Sequence, residues 1–168
     1  MRHKFIVSLG TALALWSAAC GRQNSSPSGK AQSDQELHWL TDFEAAKTQA
    51  RVQNKTLLIN FTGSDWCPPC IMLDRQVFSQ PEFADYAAKN LVLLEVDFPH
   101  NKAQTDGQKA ANDKLADRYG IYGYPTEIVL DANGKKIGEL GYTPGGPKAF
   151  IASLEKLRRA DGTSIPPP

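Results

Sequence analysis

The chain has 168 residues, which is enough for one domain with its own hydrophobic core. Its composition is that of a globular protein, with 41% hydrophobic and 22% charged residues. The formal net charge is +1, and removing Arg2 and Lys4 with a leader would change it to −1. This balance argues against a protein that binds nucleic acid or an anionic membrane surface through its charge.

The N-terminus has the pattern of an export signal. Residues 1–4 are cationic, and the mainly apolar stretch 5–19 is too short to span a membrane comfortably. Small residues precede Cys20, which resembles the lipobox of bacterial lipoproteins, whose cysteine is acylated after cleavage. We therefore expect a lipoprotein-type signal peptide over residues 1–19 and lipidation at Cys20, which would leave no unpaired thiol.

The expected location follows from this start. Multiple acyl chains would hold the protein on a membrane, and residues 20–36, rich in Ser and Gly, would form a flexible tether. Lipoproteins retained in the inner membrane commonly carry Asp after the cysteine, and Gly21 stands there instead. The resemblance therefore favours the periplasmic face of the outer membrane in a Gram-negative source. Cleavage after Ala19 without lipid, giving a soluble periplasmic protein, is the alternative.

One folded domain is expected over residues 37–160. Residues 37–40 form a short apolar segment typical of a first strand or its stub. Thr41 and Glu44 have the spacing of a capping box, which predicts a helix that runs to Asn54. The expected buried face of this helix consists of Phe43, Ala46, Ala50 and Val52.

A pair of cysteines follows the buried strand predicted over residues 56–61. If a helix begins near Cys67, the sulfurs of Cys67 and Cys70 lie one turn apart and can close a small disulfide ring. The helix N-terminus would stabilise a thiolate at Cys67, which predicts Cys67 as the exposed nucleophile and Cys70 as the resolving thiol. Pro68 and Pro69 fit the first helical turn but remove amides that could donate to Cys67, which favours the disulfide form and a role as reductant.

Two other uses of this cysteine spacing are disfavoured by the sequence. A tetrahedral zinc site needs a second pair of ligands, and His38 and His100 are far apart in the chain with no ligand-like spacing. A purely structural disulfide is disfavoured because so small a ring removes little unfolded-state entropy. We therefore expect neither a metal nor another cofactor, and we interpret His100 as a solvated loop residue.

The middle of the domain continues with alternating elements. Ser79 and Glu82 again have capping-box spacing, which predicts a helix, and residues 91–98 are apolar enough for a strand covered on both faces. A polar connection over residues 99–105 leads to a helix predicted over residues 106–119. Its expected inward residues are Ala110, Leu115 and Ala116.

The C-terminal part of the domain predicts a β-hairpin and a last helix. Residues 126–130 and 135–141 would pair through a turn in which Asn133 and Gly134 supply positive φ angles. Gly145-Gly146-Pro147 opens the last helix, and the tail 161–168 ends in three prolines and should be disordered.

Two short motifs together resemble the two halves of a thioredoxin-family active site: Trp66-Cys67-Pro68-Pro69-Cys70 and Tyr124-Pro125-Thr126. The long connection over residues 99–105 resembles an insertion in the thioredoxin-like domains of exported bacterial thiol–disulfide interchange proteins. The resemblance implies an α/β, thioredoxin-like fold with a central mixed sheet and helices on both faces. It also implies that Pro125 is cis beside the cysteines and that Trp66, Tyr124 and Pro125 contact the substrate.

One position departs from this family. Thioredoxins usually place a buried acid on the strand before the cysteines, and the corresponding residue here is Asn60, which cannot accept a proton as a base.

The resulting functional hypothesis is a membrane-tethered, extracytoplasmic thiol–disulfide oxidoreductase. It would act as a monomer that reduces disulfides of exported proteins and is recycled by an unidentified redox donor. A dedicated reductant donor, for example in cytochrome c maturation, an oxidase or isomerase, and a non-catalytic adaptor are the alternatives.

Overall fold

The computed structural model describes residues 37–162. The expected signal peptide, Cys20, the tether and the tail beyond residue 162 lie outside this range. The strands are β1 (Trp39–Leu40), β2 (Thr56–Thr62), β3 (Leu91–Asp97), β4 (Thr126–Leu130) and β5 (Lys136–Leu140). The helices are α1 (Phe43–Gln53), α2 (Pro68–Leu73), α3 (Pro81–Asn90), α4 (Asp106–Tyr119) and α5 (Gly146–Ala160), and a π-helical segment, Asp74–Phe78, directly follows α2.

The strands form one mixed sheet in the order β1-β3-β2-β4-β5. Strands β1, β3 and β2 are parallel, whereas β4 runs antiparallel to both β2 and β5. The expected α/β fold with a central mixed sheet is therefore confirmed, and β2, which carries the cysteine loop, lies in the middle of the sheet.

Each face of the sheet has its own hydrophobic cluster, because alternate residues of a strand point to opposite faces. On the first face, Ile59 and Phe61 of β2 pack with residues of α1 and α4. On the second face, Leu58 packs with residues of α2, the π-helical segment, α3 and α5. The helices thus cover both faces of the sheet, as expected.

Both predicted capping boxes differ from the observed caps. Helix α1 is capped by Asp42 rather than Thr41, because Asp42 has an extended backbone and its Oδ1 accepts the N–H of Ala45 at 2.7 Å. Helix α3 begins after Gln80 without a side-chain cap. Ser79 cannot cap α3 because it ends the preceding π-helical segment, where its N–H donates to the carbonyl of Asp74.

Two predicted buried positions are wrong. Val52 is 80% exposed, because it follows the buried Ala50 by two residues and so lies on the opposite side of α1. Ala110 of α4 is also exposed. Helix α4 instead turns Asn112 inward, where its Nδ2 donates to the backbone carbonyl of Asp97 at 2.8 Å.

The predicted hairpin is present, with a different turn. Gly134 has a φ of 86°, as expected, whereas Asn133 is not among the described residues with positive φ. The carboxylate of Asp131 fixes the turn, since its Oδ1 accepts the N–H groups of Asn133 and Lys135.

Among residues 37–162, none of the helices combines the length and the apolar character that a membrane span requires.

Candidate active site

The cysteine pair lies where β2 passes into α2. Cys67 is the N-cap of α2, with φ −89° and ψ 105°, and its sulfur accepts the N–H of Cys70 at 3.3 Å. Pro68 and Pro69 occupy the first turn, as expected. Cys67 and Cys70 are joined by a disulfide. The residues that the sequence singled out are thus brought into a redox-active arrangement at a helix N-terminus.

Both cysteines are almost fully buried in this disulfide form. Cys67 is 3% exposed and Cys70 is 4% exposed. The expectation that Cys67 is the exposed member of the pair is therefore not met in the oxidised state. Spacing along a helix places the two sulfurs one turn apart, but it does not show what packs over them.

The second half of the expected site meets the first. Strand β4 begins beside the end of β2, with Thr126 opposite Phe61. The peptide bond between Tyr124 and Pro125 is cis, as the family resemblance implies. The rings of Tyr124 and Trp66 contact each other edge to face, with centroids 6.0 Å apart. Trp66, Tyr124 and Pro125 are thus gathered next to the cysteine loop.

Trp66 is held by the segment that follows β3. Its Nε1 donates to the carbonyl of Phe98 at 2.7 Å, and its ring stacks on the imidazole of His100 with centroids 4.4 Å apart and planes 4° apart. His100 is an exposed loop residue, as expected, but it also supports the Trp66 ring. Because the stack joins residues from two separate loops, no local sequence pattern could have indicated it.

Two carboxylates fasten the loop that carries Trp66. Asp65 accepts the N–H groups of His100 at 2.9 Å and Asn101 at 2.6 Å, and the first of these bonds does most to lower the pKa of Asp65. Asp97 accepts both the N–H and the hydroxyl of Ser64, at 2.9 and 2.6 Å. We call the contacts of residues 63–66 with residues 97–102 the loop clasp.

Gly63 is required by the close approach of the indole. A Cβ at this position would lie 2.5 Å from a ring atom of Trp66, which is closer than carbon atoms can pack. The glycine therefore allows the Trp66 ring to lie against its own loop.

A row of polar side chains crosses the sheet on the second face. Asn60 of β2 stands in register with Glu95 of β3 on one side and with Glu127 of β4 on the other. Asn60 and Glu127 are buried, and Glu95 is half-buried. We call these three residues the polar row. The sequence pattern indicated Asn60 but neither Glu95 nor Glu127, although each of these acids interrupts an otherwise apolar strand sequence.

Both acids of the polar row have raised pKa values. Neither carboxylate oxygen of Glu127 has a hydrogen-bond partner in any other residue of the described range, and burial raises the pKa of this carboxyl to about 8. Burial, followed by the charge of Asp97, raises the pKa of Glu95. The side-chain oxygen of Asn60 likewise lacks a partner within residues 37–162.

An open cavity of about 400 Å³ lies behind Cys70. Cys70, Asn60 and Glu95 all line it, together with Lys102. In the described part of the chain, no group of three or more His, Cys, Asp or Glu side chains is arranged to hold a metal ion.

Comparison with known proteins agrees with this geometry. The family model of a thioredoxin-like domain matches residues 43–158. The disulfide bond reductase DsbH of Chlamydia pneumoniae is 34% identical over 125 residues, which cover 73% of this chain and 75% of that protein. The thioredoxin-related protein DsbJ of the same organism is 27% identical over 103 residues, which cover 61% of this chain but only 30% of DsbJ.

Solved structures give the same result. The structure of a DsbH oxidoreductase superposes with a TM-score of 0.73 at 29% identity, covering 83% of this chain and 95% of that one. A thioredoxin from Thermus thermophilus superposes with a TM-score of 0.52 at 20% identity, covering 74% of this chain and 87% of that one, which supports the fold. Together with the Cys67–Cys70 disulfide, these matches show that the chain belongs to the thioredoxin-like family and is a thiol–disulfide oxidoreductase.

Proposed function

We propose that this protein reduces disulfide bonds of exported proteins, with Cys67 as the nucleophile and Cys70 as the resolving thiol. The observation that carries the proposal is the position of the Cys67 sulfur at the N-terminus of α2, where it accepts the N–H of Cys70. In the reduced enzyme, the Cys67 thiolate attacks a substrate disulfide. Cys70 then attacks Cys67 and releases the reduced substrate, which regenerates the observed disulfide.

The roles of the two cysteines follow from their places on α2. A thiolate at Cys67 faces the positive end of the helix dipole, which continues through the π-helical segment. Cys70 lies one turn further along the helix, where this stabilisation is weaker. The sulfur with the lower thiol pKa is the better nucleophile at neutral pH, which assigns the attack to Cys67.

The direction of electron flow follows from the two prolines. Pro68 and Pro69 carry no N–H, so the first helical amide that can donate to the Cys67 sulfur is that of Cys70. A thiolate with fewer donors is less stabilised, which makes the reduced form less stable relative to the disulfide. The pair is therefore a reductant, in keeping with the name of the relative DsbH.

The substrate would bind over the aromatic residues beside the cysteines. Trp66 is 37% exposed and offers an apolar surface next to Cys67. Tyr124 and the cis Pro125 precede β4, and the backbone of Tyr124 would align an extended substrate segment with the sulfurs. Opening of this surface would also expose Cys67, which is needed for attack.

The proposal places the enzyme outside the cytoplasm. Cys20 would carry the lipid, residues 20–36 would give the domain reach from the membrane, and the monomer would be recycled by a separate redox donor. An unacylated, soluble periplasmic form is the alternative.

The equilibrium potential of the cysteine pair against glutathione tests the direction. We expect a value near the roughly −270 mV of thioredoxin and rapid reduction of insulin, whereas a value near −120 mV would indicate an oxidase. Activity confined to one partner would indicate a dedicated reductant donor.

Variants of the cysteines test the roles. Cys67→Ser should abolish reduction, and Cys70→Ser should accumulate mixed disulfides through Cys67. If the double Cys67→Ser, Cys70→Ser variant retains its function in cells, the protein is an adaptor.

Acylation is tested separately. Labelling of growing cells with radioactive palmitate should mark the wild-type protein and not Cys20→Ser. The purified Cys20→Ser variant should reduce insulin at the wild-type rate.

A further inference from the structure

We propose that Glu95 accepts the proton of the Cys70 thiol, through water in the cavity behind it, when Cys70 attacks Cys67. This inference rests on the proposed role of Cys70 as the resolving thiol. It gives Glu95, on strand β3, a role in proton transfer through water. No sequence motif links this residue to the cysteines.

Cys70 needs such an acceptor because a thiolate, not a thiol, attacks a disulfide. Its side chain is 4% exposed in the disulfide form, so little of the sulfur is open to bulk solvent. Cys70 follows the N-cap Cys67 by three residues, so the helix N-terminus stabilises a thiolate on it less than one on Cys67. The proton must therefore leave through a group that reaches the buried sulfur.

The cavity behind Cys70 supplies the route. Glu95 and Cys70 line this same space of about 400 Å³. Glu95 and Lys102 also line a second open cavity of about 400 Å³, between the segment that follows β3 and helix α4. Glu95 therefore stands where the space behind the sulfur adjoins a second opening to solvent. Cavities of this size hold water that can carry a proton over a distance no direct hydrogen bond spans.

Within the polar row, Glu95 is the member that fits the role. Asn60 also lines the cavity, but an amide cannot take up a proton at neutral pH. Glu127 is fully buried on the far side of Asn60 and does not line the cavity. Glu95 is half-buried and lies opposite Asn60 on β3.

The charged groups around Glu95 come from three elements. Asp97 is on the same strand, Lys102 comes from the segment after β3, and Asp74 and Arg75 come from the π-helical segment that follows α2. Burial and the charges of Asp97 and Asp74 raise the pKa of Glu95, whereas Lys102 lowers it. A carboxyl with a raised pKa is a stronger base, so its proton transfer from a thiol is less unfavourable.

The two neighbouring acids differ from Glu95 in their contacts and exposure. Both oxygens of Asp97 accept hydrogen bonds from Ser64 in the loop clasp. Asp74 is exposed, and one of its oxygens accepts the hydroxyl of Ser79 at 3.4 Å.

The step balances without any further reactant. In the mixed disulfide, the Cys70 thiol passes its proton through water to the Glu95 carboxylate, and the electron pair left on its sulfur forms the bond to Cys67. The bond between Cys67 and the substrate sulfur breaks, and its electron pair leaves on the substrate thiolate. Glu95 then returns the proton to solvent or to that thiolate. The two enzyme sulfurs are oxidised and the substrate disulfide is reduced.

The test measures the two chemical steps separately in Glu95→Gln. The rate of resolution is followed by rapid mixing and acid quench, and the first attack is measured in a Cys70→Ser background. General-base assistance contributes about 100-fold or more, and water can replace part of it, so we expect resolution to slow at least 10-fold at pH 7. The first attack should be unchanged. The pH dependence of resolution should also lose the ionisation that belongs to Glu95.

The matched control is Glu127→Gln, which changes the other acid of the polar row outside the cavity. Its resolution rate should stay within about twofold of the wild type, provided that circular dichroism shows the native fold. This control separates proton transfer from a general change in the packing of the second face.

Chemical rescue gives a second and independent test. In Glu95→Ala, added formate should restore the resolution rate in a concentration-dependent way, because the open cavity admits a small carboxylate. Wild-type resolution with an unchanged pH profile in Glu95→Gln, or no response to formate in a folded Glu95→Ala, would overturn the inference. The proposed function would fail differently, through insulin reduction that survives Cys67→Ser.

Discussion

The two faces of the central sheet differ in what they bury. The first face, which is covered by α1 and α4, has an apolar cluster that includes Ile59 and Phe61. The second face carries the polar row, Glu95, Asn60 and Glu127, among apolar neighbours such as Leu58. Helix α2 with its cysteine packs on this second face.

The two faces differ in how their buried residues affect stability. A buried carboxyl without a partner costs free energy, so Glu127 lowers the stability of the sheet that contains it. The first face shows that this fold can fill the same strands with apolar side chains. Among the strand residues of the described range, the fully buried acid is Glu127, and it lies on the face on which α2 packs.

The largest expected effect concerns the first face. Ile59→Ala should lower the free energy of unfolding by about 2–5 kcal/mol, because Ile59 is fully buried and the lost methyl groups leave a cavity. Urea denaturation measures this loss, while insulin reduction per folded molecule should be unchanged. A loss below 1 kcal/mol would show that the first face does not carry the stability assigned to it.

The next effect concerns Glu127 and depends on pH. Its pKa is raised from 4.5 to about 8, so the folded state binds a proton that the unfolded state has already released. The free energy of unfolding therefore falls as pH rises from 4.5 to 8, and it should be about 3 kcal/mol lower at pH 7 than with an unshifted pKa. Glu127→Leu should recover this amount and remove most of that pH dependence, as measured by urea denaturation at pH 4.5, 7 and 8.5. A variant less stable than the wild type at pH 8.5 would contradict the comparison.

A smaller effect is expected at the loop clasp, where β2 has just ended. Gly63→Ala places a methyl group against the Trp66 ring and should cost about 1–3 kcal/mol through overpacking. The displaced indole should also change its fluorescence maximum. Gly107→Ala is a suitable control, because a Cβ there meets no atom within 4 Å. An unchanged emission spectrum in Gly63→Ala would show that the indole keeps its place.

The smallest effect is expected outside both faces. Val52→Lys should change the free energy of unfolding by less than about 0.5 kcal/mol, because Val52 is 80% exposed on α1. Thermal denaturation checks this value. A large loss would mean that α1 presents a different side to the sheet.

Local patterns in the sequence were sufficient for much of the fold. The apolar stretches identified β2, β3 and β4, and the sequence Gly145-Gly146-Pro147 identified the start of α5. The capping residues were less predictable, because Thr41 and Asp42 are both good N-caps and the choice between them depends on where the chain turns. The π-helical segment gave no signal, since it differs from an α-helix by one residue per turn.

The site residues that belong to short sequence motifs were predictable, and the contacts between residues distant in sequence were not. Local sequence motifs mark Cys67, Cys70 and Pro125. The family resemblance then implies that these three residues lie close together. Glu95 and His100 could not be found this way, because their relation to Cys70 and Trp66 depends on strand register and on the path of a loop. Patterns of hydrophobicity average over such single residues.

The loop clasp has a consequence for protein engineering. The orientation of Trp66 depends on hydrogen bonds and a ring stack supplied by residues 97–102, which lie on a different part of the chain. Transplanting the Cys67–Cys70 motif alone into another scaffold would therefore leave the indole without its supports. A chimera that is to keep the indole in place must therefore exchange residues 97–102 together with the cysteine loop.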